Sequence, residues 1–97
     1  MIGPTPPIHP GEILREEFLL PLGLRPYGLA KALHVPRTRI ERLAREDVPV
    51  TADTALRLGR YFGTGPEFWM NLQTAFDLAK TQAERPELAN ITPREAA

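Results

Sequence analysis

The sequence predicts an all-α domain built as a bundle of five short helices. Apolar residues recur at helical spacing between proline and glycine borders, and no stretch shows the apolar–polar alternation of a strand. The chain has 97 residues, enough for one small domain with one modest core. Its eleven prolines stand at segment borders, where they separate helices from one another.

Composition excludes several classes of protein. Twelve basic residues balance twelve acidic ones, which argues against a uniformly basic DNA-coating protein, and there is no cysteine for disulfides, zinc ribbons or thiol catalysis. No apolar run is long enough for a transmembrane helix or a signal peptide, so we expect a cytoplasmic protein without a membrane partner. No nucleophile–base pair, phosphate loop or metal-ligand spacing is present. We therefore expect no enzyme, no cofactor and no metal site.

The elements follow in order from their border residues. Residues 1–9 are predicted to form an extended arm, because three prolines disfavour both helix and strand pairing. Pro10 suits the first turn of the first helix, and Pro21 with Gly23 should end it. The five helices are predicted at residues 10–20, 26–33, 37–44, 52–62 and 66–83. The remaining residues, 84–97, have little hydrophobic content and are predicted to form a flexible tail.

The second and third helices carry the spacing of a helix-turn-helix. Ala30 supplies the small residue that two steeply crossing helices need where they touch, and Val35 in the turn is predicted to plug the core. His34 stands where glycine is preferred, because that residue often takes a left-handed conformation. Burial of the apolar residues on the third helix leaves four polar ones facing outward, namely Arg37, Thr38, Arg39 and Arg42.

Charge is polarised along the chain. Residues 25–45 contain six basic side chains and one acidic one, a balance of +5, whereas residues 1–24 carry −2 and residues 46–97 carry −3. The whole positive excess therefore falls on the helix-turn-helix. A face that binds double-stranded DNA is the natural use of such a patch.

Four ordered motifs now identify a resemblance. The stretches His9-Pro10-Gly11-Glu12-Ile13-Leu14, the helix-turn-helix, Thr51-Ala52-Asp53-Thr54-Ala55-Leu56-Arg57-Leu58 and Pro66-Glu67-Phe68-Trp69 resemble the HigA antitoxins. These belong to the larger class of phage-repressor-like helix-turn-helix proteins, and the resemblance covers roughly residues 6–80. It implies a homodimeric repressor that binds its own operator DNA and neutralises a HigB toxin, a ribosome-dependent mRNA endonuclease of the RelE type.

The repressor pattern assigns roles to the basic residues. It implies that bases are contacted by Arg37, Thr38 and Arg42. Phosphates are expected near Arg25, Arg39 and Arg45. The chain departs from the pattern at Arg45-Glu46-Asp47, where such proteins often have an Asn-Gly turn followed by basic residues.

Two further surfaces are predicted outside the DNA-binding face. The fifth helix has more apolar surface than one small bundle must bury, so a dimer interface is expected at Trp69, Leu72 and Phe76. The acidic excess outside the helix-turn-helix complements a basic toxin, and the toxin is expected at Glu12, Glu16 and Glu17. Residues 10–83 would then combine DNA binding with dimerisation.

Two alternative functions stay open at this point. The chain could be a stand-alone helix-turn-helix transcription regulator without a toxin, which differs from an antitoxin only in genomic context and partner. It could also be a protein-interaction module whose basic patch meets an acidic protein. Salt-dependent, sequence-selective duplex binding separates both DNA-binding hypotheses from this last one.

Overall fold

The computed structural model describes residues 6–95 and confirms the all-α architecture of five helices, with no strand in that range. The helices are α1 from Pro10 to Leu22, α2 Pro26–Leu33, α3 Arg37–Ala44, α4 Ala52–Phe62 and α5 Pro66–Glu84. A 3-10 helix, Pro86–Asn90, follows α5. Across the described residues, no helix is both long enough and apolar enough to cross a membrane.

The predicted arm and tail are described only in part. Residues 1–5 of the arm and residues 96–97 of the tail lie outside the described residues. Residues 6–8 are exposed and precede α1, whereas His9 is buried and caps that helix.

The first helix changes its winding on the way to its end. It is α-helical over Pro10–Ile13, π-helical over Leu14–Leu19 and α-helical again over Leu20–Leu22. We predicted that Pro21 would end the helix near residue 20, but it ends at Gly23, which has a left-handed φ of 65°. Proline clashes with the carbonyl four residues before it in a regular α-helix, and the wider π-helical turn precedes that point here.

The core lies between the helices of the bundle. Its largest fully buried side chains are Trp69, Leu14, Leu29, Ile40, Leu43 and Leu58. Aromatic rings surround the indole of Trp69, with the centroid of Phe18 at 5.1 Å and that of Phe62 at 6.4 Å. Helices α4 and α5 pack together through this region, and Gly59 permits their close approach, because a Cβ there would overlap the backbone of Gly65.

One predicted interface residue is wrong. Trp69 was expected at a dimer surface, but its side chain is 0% exposed in the single chain. Its indole Nε1–H donates to Thr64 Oγ1 at 3.0 Å, so the polar edge is also satisfied internally. The apolar spacing of α5 was correct, but the Trp69 side chain points into the protomer's own core. The other two predicted interface residues, Leu72 and Phe76, are half-buried.

Candidate nucleic-acid interface

The turn between α2 and α3 has the conformation that the helix-turn-helix spacing predicts. His34 is left-handed at φ 61°, and the Val35 amide donates to the Ala30 carbonyl at 3.0 Å, which closes the end of α2. Ala30 is buried at the crossing, and Val35 packs against the core from the turn. Histidine therefore occupies the position where glycine would be free of steric cost.

The second helix of this motif, α3, presents its polar face to solvent. Arg37, Thr38 and Arg42 are all exposed, while Ile40 and Leu43 on the opposite side are buried. Arg37 Nε lies 3.4 Å from Glu41 Oε2 across one helical turn, and the Arg37 side chain stays 60% exposed. A pair this open is worth little, so the Arg37 guanidinium is available to a ligand.

A cleft of about 580 Å³ separates α3 from the start of α4. Thr38, Arg39 and Arg42 line it from α3, and Asp53 and Arg57 line it from α4. The structure thus places two of the three predicted base-contacting residues, Thr38 and Arg42, at one concave surface. The third, Arg37, lies in the first turn of the same helix.

Arg39 differs from its neighbours because it is paired with a residue of another helix. Its Nη1 donates to Asp53 Oδ2, and the same oxygen accepts from Arg57 Nε at 3.0 Å. Arg57 also donates from Nη1 to the carbonyl of Leu33, the last residue of α2, at 2.8 Å. The two guanidinium groups, Arg57 first and Arg39 second, lower the pKa of Asp53 below its usual value. Asp53 thereby connects α4 to α3, and Arg57 connects α4 to α2.

The other two predicted phosphate contacts lie on the borders of the motif. Arg25 is exposed and directly precedes α2. Arg45 follows α3, and its Nε lies 3.2 Å from Asp47 Oδ2 with both side chains mostly in solvent. Neither residue lines the cleft between α3 and α4.

The loop after α3 contains the acidic residues Glu46 and Asp47, and Glu46 contacts α1. Glu46 is left-handed at φ 68°, the conformation that glycine would supply in an Asn-Gly turn. Its carboxylate pairs with Arg15 Nη2 at 3.3 Å, and Arg15 Nη1 donates to the Ala44 carbonyl at 2.5 Å. Arg15 therefore satisfies the carboxyl end of α3 and neutralises the acidic loop at the same time.

The amino end of α1 also supports α3. Gly11 lies so close to the Leu43 carbonyl that a Cβ at this position would overlap it. His9 caps α1 by accepting the Gly11 amide hydrogen on Nδ1 at 2.9 Å, and its ring meets Phe76 edge-on at 4.8 Å between centroids. Burial lowers the pKa of His9 despite the carboxylates of Glu46 and Asp77. His9 thus both caps α1 and packs it against α5.

The predicted toxin-contacting residues lie on α1 in different surroundings. Glu12 is half-buried, Glu16 pairs with Arg15 Nε at 2.9 Å, and Glu17 is exposed. Sequence reasoning assigned no role to Arg15, Asp53 or Arg57, although the four-residue spacing from Asp53 to Arg57 on a helix is a recognisable pair.

The comparisons with known proteins place these features in a family. No protein-family model matches the chain. The chain is 53% identical to Virulence-associated protein I of Dichelobacter nodosus, over 91% of this chain and 82% of that protein. It is 40% identical to Antitoxin HigA-1 of Vibrio cholerae, over 88% of this chain and 80% of that protein.

A solved structure gives the same result. The Pseudomonas aeruginosa antitoxin HigA, solved with the higBA promoter, superposes with a TM-score of 0.86 at 45% identity. The match covers 92% of this chain and 99% of that one. Identity at this level over nearly the whole length confirms the resemblance that the four sequence motifs indicated. The chain belongs to the HigA antitoxin family of helix-turn-helix proteins.

Proposed function

We propose that this chain is the antitoxin of a type II toxin–antitoxin system, which represses its own operon and neutralises a HigB/RelE-like mRNA endonuclease in the cytoplasm. It acts by binding, not by catalysis. The observation that carries the proposal is the exposed row Arg37, Thr38 and Arg42 on the second helix of a helix-turn-helix. The related antitoxin HigA was solved with promoter DNA, which supports the same use of the same fold.

The proposed base contacts follow from the chemistry of the exposed side chains. A guanidinium group can donate two parallel hydrogen bonds to the O6 and N7 of guanine, and a threonine can contact either a polar base edge or a thymine methyl group. Arg42 and Thr38 face the cleft beside α4, and Arg37 lies at the amino end of α3. Arg25, Arg39 and Arg45 are proposed to meet phosphates and not base edges.

Arg42→Ala tests the base-contacting assignment. The probes are the best duplex selected from a randomised library by the wild-type protein and a random duplex of equal length. We expect Arg42→Ala to weaken binding to the selected duplex by about 1–3 kcal/mol and to relax the base preference at one position. Arg60→Ala removes the same charge from an exposed position on α4, and it should leave the base preference intact. Unchanged selectivity in Arg42→Ala would remove Arg42 from the site.

We propose that the DNA-binding form is a two-fold dimer of residues 10–83, with residues 1–9 as an arm and residues 84–97 as a flexible tail. Half-sites read by such a dimer are about 34 Å apart on an inverted repeat. Leu72 and Phe76 on α5 are only partly covered by the protomer. Light scattering at micromolar concentration should give twice the chain mass, and Leu72→Glu should shift the protein toward monomer. A wild-type monomer, free and on DNA, would contradict the dimer.

We propose that the toxin binds the acidic side chains of α1, which are Glu12, Glu16 and Glu17. Glu17 is the clearest probe because it is exposed and its substitution leaves the Arg15–Glu16 pair in place. Glu17→Lys should slow association with the toxin encoded beside this gene, and the effect should fade at high salt because charge steering is screened there. Equal association rates at low salt would move the toxin to another face.

The second candidate is a stand-alone helix-turn-helix regulator without a toxin. The same exposed row on α3 favours it equally, because DNA recognition alone needs no other surface. Co-purification from the native host separates the two functions. A small basic protein retained with the chain supports the antitoxin, and its absence together with the lack of a neighbouring toxin gene supports the regulator.

A further inference from the structure

Asp53 stands at an unusual place for a carboxylate. It is the one acidic residue among those that line the cleft between α3 and α4, all of which lie within residues 6–95. Three arginines, Arg39, Arg42 and Arg57, line the same cleft. A DNA-binding surface gains affinity by neutralising phosphates, so an acidic group there works against binding unless it does something else.

The hydrogen bonds show what Asp53 does in the free protein. Its Oδ2 accepts from both Arg39 and Arg57, so this carboxylate offsets one of their two positive charges. Arg57 is anchored a second time at the Leu33 carbonyl, whereas Asp53 is the one partner of Arg39 among the ion pairs of the described residues. The exposed pair Arg39–Asp53, with side chains 40% and 53% exposed, is the contact that a ligand can break.

We propose that Asp53 limits binding to non-specific DNA by competing with phosphate for the Arg39 guanidinium. The inference rests on the proposed DNA-binding function. Non-specific affinity comes almost entirely from phosphate contacts, whereas a specific site also draws the protein into one register through base contacts. In that register a phosphate replaces Asp53 as the partner of Arg39. On a random duplex the looser fit leaves Arg39 on Asp53, and non-specific binding loses one cation.

Asp53→Asn tests this competition because asparagine keeps the shape and an acceptor oxygen but loses the charge. The probes are the selected duplex and the random duplex, with affinities measured between 50 and 200 mM salt. For the random duplex, we expect the slope of log affinity against log salt to steepen by about one unit. That change corresponds to about a further fourfold rise in affinity as salt falls fourfold. Affinity for the selected duplex should rise as well, because the variant has no Arg39–Asp53 ion pair to break on binding.

Two further variants attribute the effect to Arg39. Arg39→Gln alone should weaken the selected duplex and leave the random duplex nearly unchanged, and in this background Asp53→Asn should no longer steepen the salt slope. Glu84→Gln, which removes one negative charge at the end of α5, should leave both duplexes unchanged. Thermal melts of each variant establish that the protein is folded under the conditions of the binding measurements.

The outcomes separate the inference from the function on which it rests. If Asp53→Asn leaves the salt slope for the random duplex unchanged, the competition is wrong. The same holds if the slope steepens equally in the Arg39→Gln background, since the effect would then be charge alone. If the wild-type protein itself shows no preference among duplexes, the proposed DNA-binding function fails first.

Discussion

The helix α3 and the helix α5 use their side chains in opposite ways. The short helix α3 is tied to its surroundings near both ends, by Arg39 to Asp53 and by the Ala44 carbonyl to Arg15. The long helix α5 buries Trp69 and Gln73 and leaves most of its other residues on the surface. A helix that places side chains in a groove needs its direction fixed, because an error of one ångström misplaces every base contact. The helix α5 instead contributes its buried residues to the core and places no exposed side chain in the cleft between α3 and α4.

The ties to α3 come from elements distant in sequence. Arg15 reaches it from α1, and Asp53 reaches it from α4. At the other end of the α3–α4 connection, the Val50 amide donates to the buried Gln73 Oε1 at 2.7 Å, so α5 holds the loop that leads into α4. Through this buried hydrogen bond, α5 helps to fix the position of α4 relative to α3.

Trp69→Ala should have the largest effect, because it empties the centre of the core. Truncation of a fully buried tryptophan costs about 3–5 kcal/mol in the free energy of unfolding. Phe68→Ala is the matched control, since its ring is the adjacent residue on α5 but remains 38% exposed. Urea unfolding of both variants gives the comparison. Similar losses in the two variants would contradict the distinction between the inner and outer sides of α5.

Gly11→Ala should break the contact between α1 and α3. A methyl group at this position overlaps the Leu43 carbonyl, and overpacking of this kind costs about 1–3 kcal/mol. Gly28→Ala is the control within a helix, where nothing lies within 4 Å of the added carbon. This second change should stabilise the protein by about 0.5–1 kcal/mol, because alanine restricts the unfolded chain. Thermal melts that shift in the same direction for both variants would overturn the assignment.

Arg15→Met should loosen the carboxyl end of α3 with a smaller effect. It removes a charge-assisted hydrogen bond to the Ala44 carbonyl but keeps the aliphatic stem, and we expect a loss of about 1 kcal/mol. Glu16→Gln removes only an exposed ion pair of Arg15 and should cost less. Hydrogen exchange at the amides of Arg45 and Glu46 reports the end of α3 directly. Unchanged protection there in Arg15→Met would show that this end of α3 does not need Arg15.

Local sequence signals predicted the helices, but they did not predict the contacts between residues that are distant in sequence. Proline and glycine borders predicted α2 and α4 to the residue, and His34 takes the left-handed conformation expected from its place in the turn. The end of α1 was missed because a π-helical stretch is not visible in apolar spacing. The pairing of Arg39 with Asp53 needs two helices to be placed in space.

The same division applies to the candidate site. The outward face of α3 followed from burying Ile40 and Leu43, because 3.6 residues per turn fixes which positions lie opposite. The inward orientation of Trp69 did not follow, since apolar spacing identifies a stripe but not whether core or partner covers it. The role of Arg15 depends on a contact 29 residues away, which no local pattern encodes.

Acid should weaken the junction of α1, α3 and α5 at His9, and this is the smallest effect we expect. Burial lowers the pKa of His9 below 6.5, although the carboxylates of Glu46 and Asp77 oppose the shift and Lys80 adds to it. The unfolded chain therefore binds the proton more readily, so stability is full above pH 6.5 and falls as pH drops through that value. The loss ends below the lowered pKa of the folded state.

Protonation of Nδ1 also removes the acceptor for the Gly11 amide, so α1 loses its cap. Urea unfolding between pH 8 and pH 5.5 should show this decline in the wild-type protein and a smaller one in His9→Asn, whose amide oxygen can cap without titrating. A decline of equal size in both proteins would place the acid sensitivity elsewhere.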